Sequence, residues 1–134
     1  MRAVLDPNVL ISALLAPTGV PAALLRRWLD GEFELLVSER LLAELRRALT
    51  YPKLRSYVSS EEAKAFIDLL RGAGVMAHDA ASPPRISRDP GDDYLLALAR
   101  LNAAVLVSGD QDLLEVKDAP VESPRSFMSR LTAR

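Results

Sequence analysis

The stretch AVLVSGDQDLL, residues 104–114, decides the architecture. Residues 104–107 form a short apolar run with two β-branched members, and it stops at Ser-Gly-Asp. A run of this length bounded by turn residues reads as a buried strand. The pattern recurs in AVLDPNVLISALL, residues 3–15, where a strand over 2–5 ends on Asp6. Pro7 then suits the first turn of a helix, with Asp6 as its N-cap and residues 9–16 following. Each strand therefore delivers a carboxylate at its exit.

Working outward, Gly19 interrupts the chain, and Pro21 restarts a helix through Trp28 and Leu29 that Gly31 stops. Residues 33–37 read as a second strand. Ser38 is an N-cap for a helix over 39–49, and Pro52 prevents its smooth continuation. Ser59 with Glu62 has capping-box spacing and opens a helix through Leu70, ended by Gly72 and Gly74. Residues 75–77 form a weak strand, and a proline-containing loop follows over 79–91. A helix over 92–102, the strand over 104–107, a short strand from Val121 and a terminal helix capped at Ser123-Pro124 complete the chain. Strands alternating with helices indicate an α/β fold with a mainly parallel sheet. In such sheets ligands lie outside the carboxyl ends of the strands, where Asp6 and Asp110 both fall.

The 134 residues contain neither an internal repeat nor a linker, so one domain over 1–134 is expected. A hydrophobic content of 49% supports a packed core, and the absence of cysteine excludes disulfides and thiolate metal sites. The N-terminus lacks the form of a signal peptide, and no stretch reaches membrane-spanning length. A cytoplasmic protein is the expectation. The net charge of −1 excludes a general nucleic-acid coat. Yet Arg26, Arg27, Arg40, Arg46, Arg47, Lys53 and Arg55 make the first half locally basic. That is either a set of solvated helix faces or a basic rim around an acidic centre.

Each acidic position admits two readings. Asp6 is a helix cap or a ligand, with Asn8 beside it to orient a bound water. Glu44 is a surface partner of Arg40 or Arg47, or, at the margin of the Leu41–Leu45–Ala48–Leu49 stripe, it reaches a cleft. Asp92 and Asp93 suit the first turn of a helix, but Asp93 opens one that is apolar almost all round and is expected to face a partner. Asp110 and Asp112 belong to a turn, or they present oxygen ligands to a hard divalent cation. If the fold gathers these carboxylates, their repulsion calls for a cation. The single histidine, His78, lacks any partner motif and carries no catalytic role.

The motifs VLDPNVLISALL, LLAELRRAL, YPKLR, RDPGDDYLLALA, LVSGDQDLL and SPRSFMSRL resemble those of the PIN-domain family over nearly the whole chain. The resemblance is closest to the VapC-type toxins of prokaryotic toxin–antitoxin pairs. It implies a three-layer α/β/α sandwich with a mainly parallel central sheet, Mg²⁺- or Mn²⁺-dependent endoribonuclease activity and a homodimer. An antitoxin protein would be a further partner. The family's acids fall on Asp6, Glu44, Asp93 and Asp110, with Asp6, Asp93, Asp110 and Asp112 toward the metal and Asn8 and Ser108 as supporting polar groups. Pro7 stands where this branch usually has Thr or another small residue. Arg46, Arg47, Lys53 and Arg55 are candidate contacts to RNA phosphates. Hydrolysis by water would leave a 5′-phosphate and a 3′-hydroxyl.

Two rivals share an Asp after the first strand, the haloacid-dehalogenase phosphatases and the receiver domains. Both need a lysine that Lys53, Lys64 and Lys117 do not supply, and the former need a second Asp where Asn8 stands. A third alternative is a non-catalytic PIN-like module that binds RNA or protein.

Overall fold

The computed structural model describes residues 1–85 and 90–133. Among these, five strands form one sheet in the order β3-β2-β1-β4-β5: β1 (Arg2–Leu5), β2 (Glu34–Val37), β3 (Val75–Met76), β4 (Val105–Val107) and β5 (Val121–Glu122). Every pairing is parallel. Helices cover both faces, giving the expected three-layer α/β/α sandwich. The order reverses between β1 and β4, and at such a switch point the connections leave to opposite sides and open a crevice. Val4 pairs with Leu106 and Leu5 with Val107, so both strands end level.

The helices are α1 (Pro7–Leu15), α2 (Val20–Leu29), α3 (Glu39–Leu49), α4 (Pro52–Arg55), α5 (Ser60–Ala73), α6 (Asp93–Leu101), α7 (Gln111–Leu114) and α8 (Pro124–Thr132), with a 3₁₀ turn over Pro90–Asp92. Several begin as side-chain chemistry dictates. Ser38 accepts the N–H of Leu41 to open α3, and Ser59 and Glu62 form the expected capping box at α5. Gly31, at φ +82°, turns the chain out of α2 in the left-handed region.

Helix α6 is buried from Asp93 through Ala99 and packs against β1 and β4. Leu41, Leu42, Leu45 and Leu49 turn α3 onto the core; Leu42 joins the expected stripe, and Ala48 is only half-buried. Phe33 and Phe127 meet edge to face at 5.2 Å, fixing α8 beside the start of β2.

The sequence expectations differ from the structure in a few elements. Helix α5 continues through Gly72 to Ala73, because a glycine on a helix's solvent side costs only about 1 kcal/mol. At Gly74 the chain leaves α5 so tightly that a Cβ would lie 2.5 Å from the Leu70 carbonyl oxygen of that helix and 3.3 Å from the Leu35 carbonyl oxygen of β2. The one-turn helices α4 and α7 occupy segments to which the sequence assigns no helix, Asp110 and Asp112 reading as a turn. Part of the expected 79–91 loop, residues 86–89, lies outside the described residues. No single helix among the described residues is long and apolar enough to cross a membrane.

Candidate active site

The carboxyl ends of β1 and β4 supply the centre. Asp6 follows β1 directly, and its N–H donates to the Val107 carbonyl at 3.0 Å, which fixes it against β4. Its side chain is buried and serves two partners. Oδ1 accepts the Asn8 N–H at 2.9 Å, and Oδ2 accepts the Ser108 hydroxyl at 2.8 Å. The Ser108 oxygen in turn accepts the Asp110 N–H at 3.0 Å. Asp110 caps α7 by accepting the Asp112 N–H at 2.9 Å. The cap reading of Asp6 and the turn reading of Asp110 are therefore both correct locally. Being a cap does not remove either acid from the site, because a carboxylate can cap with one oxygen and keep the other for a second partner.

Asp6, Asn8 and Asp110 share a depression of about 380 Å³, with Val9, Ser12, Pro21, Gly109 and Pro124 around them. Glu44 lies in a neighbouring depression, also of about 380 Å³, with Arg40, Ala43, Arg47 and Gly91. The two are electrostatically joined. Burial first, then the charges of Glu44 and Asp110, raise the Asp6 carboxyl above its ordinary range, against the two hydrogen bonds that lower it.

Glu44 takes its position from Tyr94, not from an arginine: the buried Tyr94 hydroxyl donates to its Oε2. The Arg40 guanidinium sits 4.3 Å from the centre of the Tyr94 ring. Burial, followed by the Glu44 bond and the charges of Glu44 and Asp6, raises the Tyr94 hydroxyl above its ordinary range. It remains a donor. Tyr94 and the site role of Arg40 were missed in the sequence, although one signal was present. A tyrosine in an otherwise apolar buried helix must find a partner for its hydroxyl.

Asp93 is 1% exposed, and its Oδ2 lies 3.5 Å from Nε of Arg85, whose side chain is 72% exposed. This is a long ion pair and not a hydrogen bond, so it meets the expectation of a partner only weakly. Asp112 is half-buried on the first turn of α7. The four basic candidates divide: Arg47 lies beside Glu44, Arg46 and Arg55 line another depression, and Lys53 is exposed on α4. His78 is exposed just beyond β3.

The donors suit a hard cation, since they are oxygens that repel one another around a partly desolvated carboxylate. Among the described residues no group of three or more acidic or histidine side chains is arranged to hold an ion alone. Mg²⁺ would need only one or two carboxylates, with waters and substrate phosphates in the remaining positions.

A parallel sheet with paired acids at its switch point defines an α/β protein whose ligand site opens at the carboxyl edge. The PIN domain family model matches residues 2–112, and the chain belongs to that family. Its members are generally nucleases that use divalent metals. An uncharacterized protein of Methanocaldococcus jannaschii is 27% identical over 118 residues, covering 88% of this chain and 76% of that one. Among solved structures, a Pyrobaculum aerophilum protein aligns with a TM-score of 0.68 at 19% identity, covering 100% of this chain and 91% of that one. VapBC2 from Rickettsia felis, bound to a DNA fragment from its promoter, gives a TM-score of 0.65 at 16% identity, with 92% and 98% covered. FitAcB from Neisseria gonorrhoeae gives 0.57 at 17% identity, with the same coverage. These likenesses concern the fold.

Proposed function

We propose that this chain is a Mg²⁺- or Mn²⁺-dependent endoribonuclease and the toxin of a prokaryotic toxin–antitoxin pair. The observation that carries the reading is the sharing of one depression by Asp6 and Asp110 at the switch point, with Glu44 close enough to act on the Asp6 charge. Asp6 and Asp110 would hold the cation, aided by Asp93 and Asp112 from the first turns of α6 and α7. The bound ion supplies charge neutralisation and makes water more acidic. Glu44, fixed by Tyr94, accepts the proton of the attacking water at a carboxylate oxygen. Arg40 and Arg47 hold the scissile phosphate beside it. In-line attack at phosphorus expels the 3′ oxygen, which takes a proton from solvent water, leaving a 5′-phosphate and a 3′-hydroxyl. Asn8 and Ser108 maintain the Asp6 orientation.

The toxin assignment rests on the VapC-type motifs and on likeness in fold to components of the VapBC2 and FitAcB assemblies. It implies a cognate antitoxin, a homodimer and a cytoplasmic location. Most of the apolar surface of α1 and α2 is used internally. Leu24 and Trp28 are buried and Leu14 and Leu25 pack against the core, while Leu15 and Leu29 stay exposed for a partner.

A second reading, a non-catalytic module for RNA or protein, is favoured by one observation. Glu44 and Asp93 are already engaged by Tyr94 and Arg85. Cleavage of a mixed, folded RNA pool by wild type and Asp93→Asn separates the two. The nuclease reading expects Mn²⁺-dependent products with 5′-phosphate ends and their loss in the variant. Equal activity in both, or 2′,3′-cyclic phosphate ends, would overturn it. RNA binding by folded wild type without cleavage would favour the module.

A further inference from the structure

We propose that the outer flank of α3, with α4 and the start of α5, is a separate subsite for an unpaired stretch of RNA. Phosphates enter a basic depression there, and bases stack on Tyr51 and Tyr57. The choice of RNA as ligand rests on the ribonuclease reading; the subsite itself uses none of the acidic residues.

The depression has a volume of about 320 Å³ and is lined by Arg46 and Thr50 of α3, Arg55 of α4, and Ser60, Ala63, Lys64, Ile67 and Asp68 of α5. Three cations face one carboxylate. The Lys64–Asp68 pair, at 3.4 Å with side chains 81% and 62% exposed, is too wet to hold Lys64 firmly. A phosphate can therefore draw on all three cations, with the Ser60 hydroxyl beside them. Buried Ile67 contributes to an apolar floor.

Helix α4 explains why two aromatic rings remain in water on the segment that joins Thr50 to Ser60, although neither ring lines the depression itself. Its segment is anchored by Val58, which is buried, and by Leu54, which packs on the core. The intervening and flanking residues point outward. Tyr51 is 54% exposed and Tyr57 74% exposed, with Lys53 and Arg55 between them in sequence. Two cations flanked by aromatic rings suit a single strand, because stacking accepts any base and is worth about 1–3 kcal/mol for each one. A duplex keeps its base faces covered and offers nothing to the rings.

Helix geometry connects this surface to the acidic centre. Residues 40, 43, 44 and 47 of α3 face the Glu44 depression, while 46 and 50 face the basic one. At about 100° per residue these are adjacent flanks of one helix, both away from the Leu41–Leu45–Leu49 stripe. Glu44 and Thr50 are about 9 Å apart along the axis. Arg47 and Arg46, consecutive on the helix, lead from one depression to the other.

The test is fluorescence anisotropy with a short labelled oligouridylate in the presence of a chelator, so that no cleavage occurs. Tyr51→Ala/Tyr57→Ala is expected to weaken binding by about ten-fold or more, with the salt dependence retained. Arg46→Ala/Arg55→Ala is expected to weaken binding and to reduce the slope of log K against log salt by about 1.4, or 0.7 for each phosphate contact. All four side chains are exposed except where they line the depression, and unchanged circular dichroism melts confirm folding. Failure of wild type to bind, wild-type affinity in both variants, or equal competition by duplex RNA would overturn the proposal. The nuclease reading stands or falls separately, on metal-dependent cleavage.

Discussion

Asp6 shows how one residue can satisfy two demands at once. Its two oxygens are occupied by the Asn8 N–H and the Ser108 hydroxyl, yet burial and two neighbouring acids still disfavour its charge. The folded state therefore binds this proton more tightly than the unfolded chain. Its contribution to stability is complete below the ordinary value of 3.8 and is lost as pH rises through the raised folded value. At neutral pH the ionised carboxylate is a cost that a cation would relieve. Asp6→Asn keeps a good N-cap and removes the charge. It is expected to melt at a higher temperature than wild type at neutral pH without divalent ions, with the difference shrinking as the pH is lowered. An equal or lower melting temperature at neutral pH would refute this account of Asp6. The sequence displayed the acid and its cap; it did not display Ser108 as the link between Asp6 and Asp110, because the bond from Ser108 to Asp6 spans 102 positions.

At the scale of elements, the legible parts were those governed by local rules. Helix α3 runs over Glu39–Leu49 as its serine cap and apolar spacing require, and β1 and β4 follow from short apolar runs that end in turn residues. The short helices α4 and α7 were not legible, since one turn carries too little periodicity to read. Nor was the contact between α3 and α6. Glu44 had arginines four before and three after it, and local spacing favoured them over a tyrosine 50 positions away. Burial of α6 decided the matter, because the Tyr94 hydroxyl required a partner and Glu44 was within reach. If this bond positions Glu44 for chemistry, Tyr94→Phe should cost about 1 kcal/mol of stability and lower cleavage about ten-fold. Tyr94→Phe added to Glu44→Ala should cause little further loss, since contacting residues are not additive. Melts and single-turnover rates on both variants and their double check this; fully multiplicative losses would mean that Tyr94 acts elsewhere.

For the whole molecule, alternation of strands and helices led to the parallel sheet, and the sheet led to the carboxyl edge. The strand order could not be read in advance, because pairing between distant strands leaves no local mark. The order determines the site: β1 beside β4 puts Asp6 and Asp110 together at the switch point, and α3 brings Glu44 to the next depression. The basic residues were visible in the sequence, but their division between two flanks of α3 was not. If Asp6 and Asp110 form one cation site, Mn²⁺ titration of wild type and Asp110→Asn, followed by thermal melting, will show it. Wild type should gain about 2.7 kcal/mol when free Mn²⁺ is about a hundred-fold above its dissociation constant, and the variant should need at least about ten-fold more metal for the same gain. A folded wild type that does not respond to Mn²⁺, or a variant that responds identically, would contradict the claim.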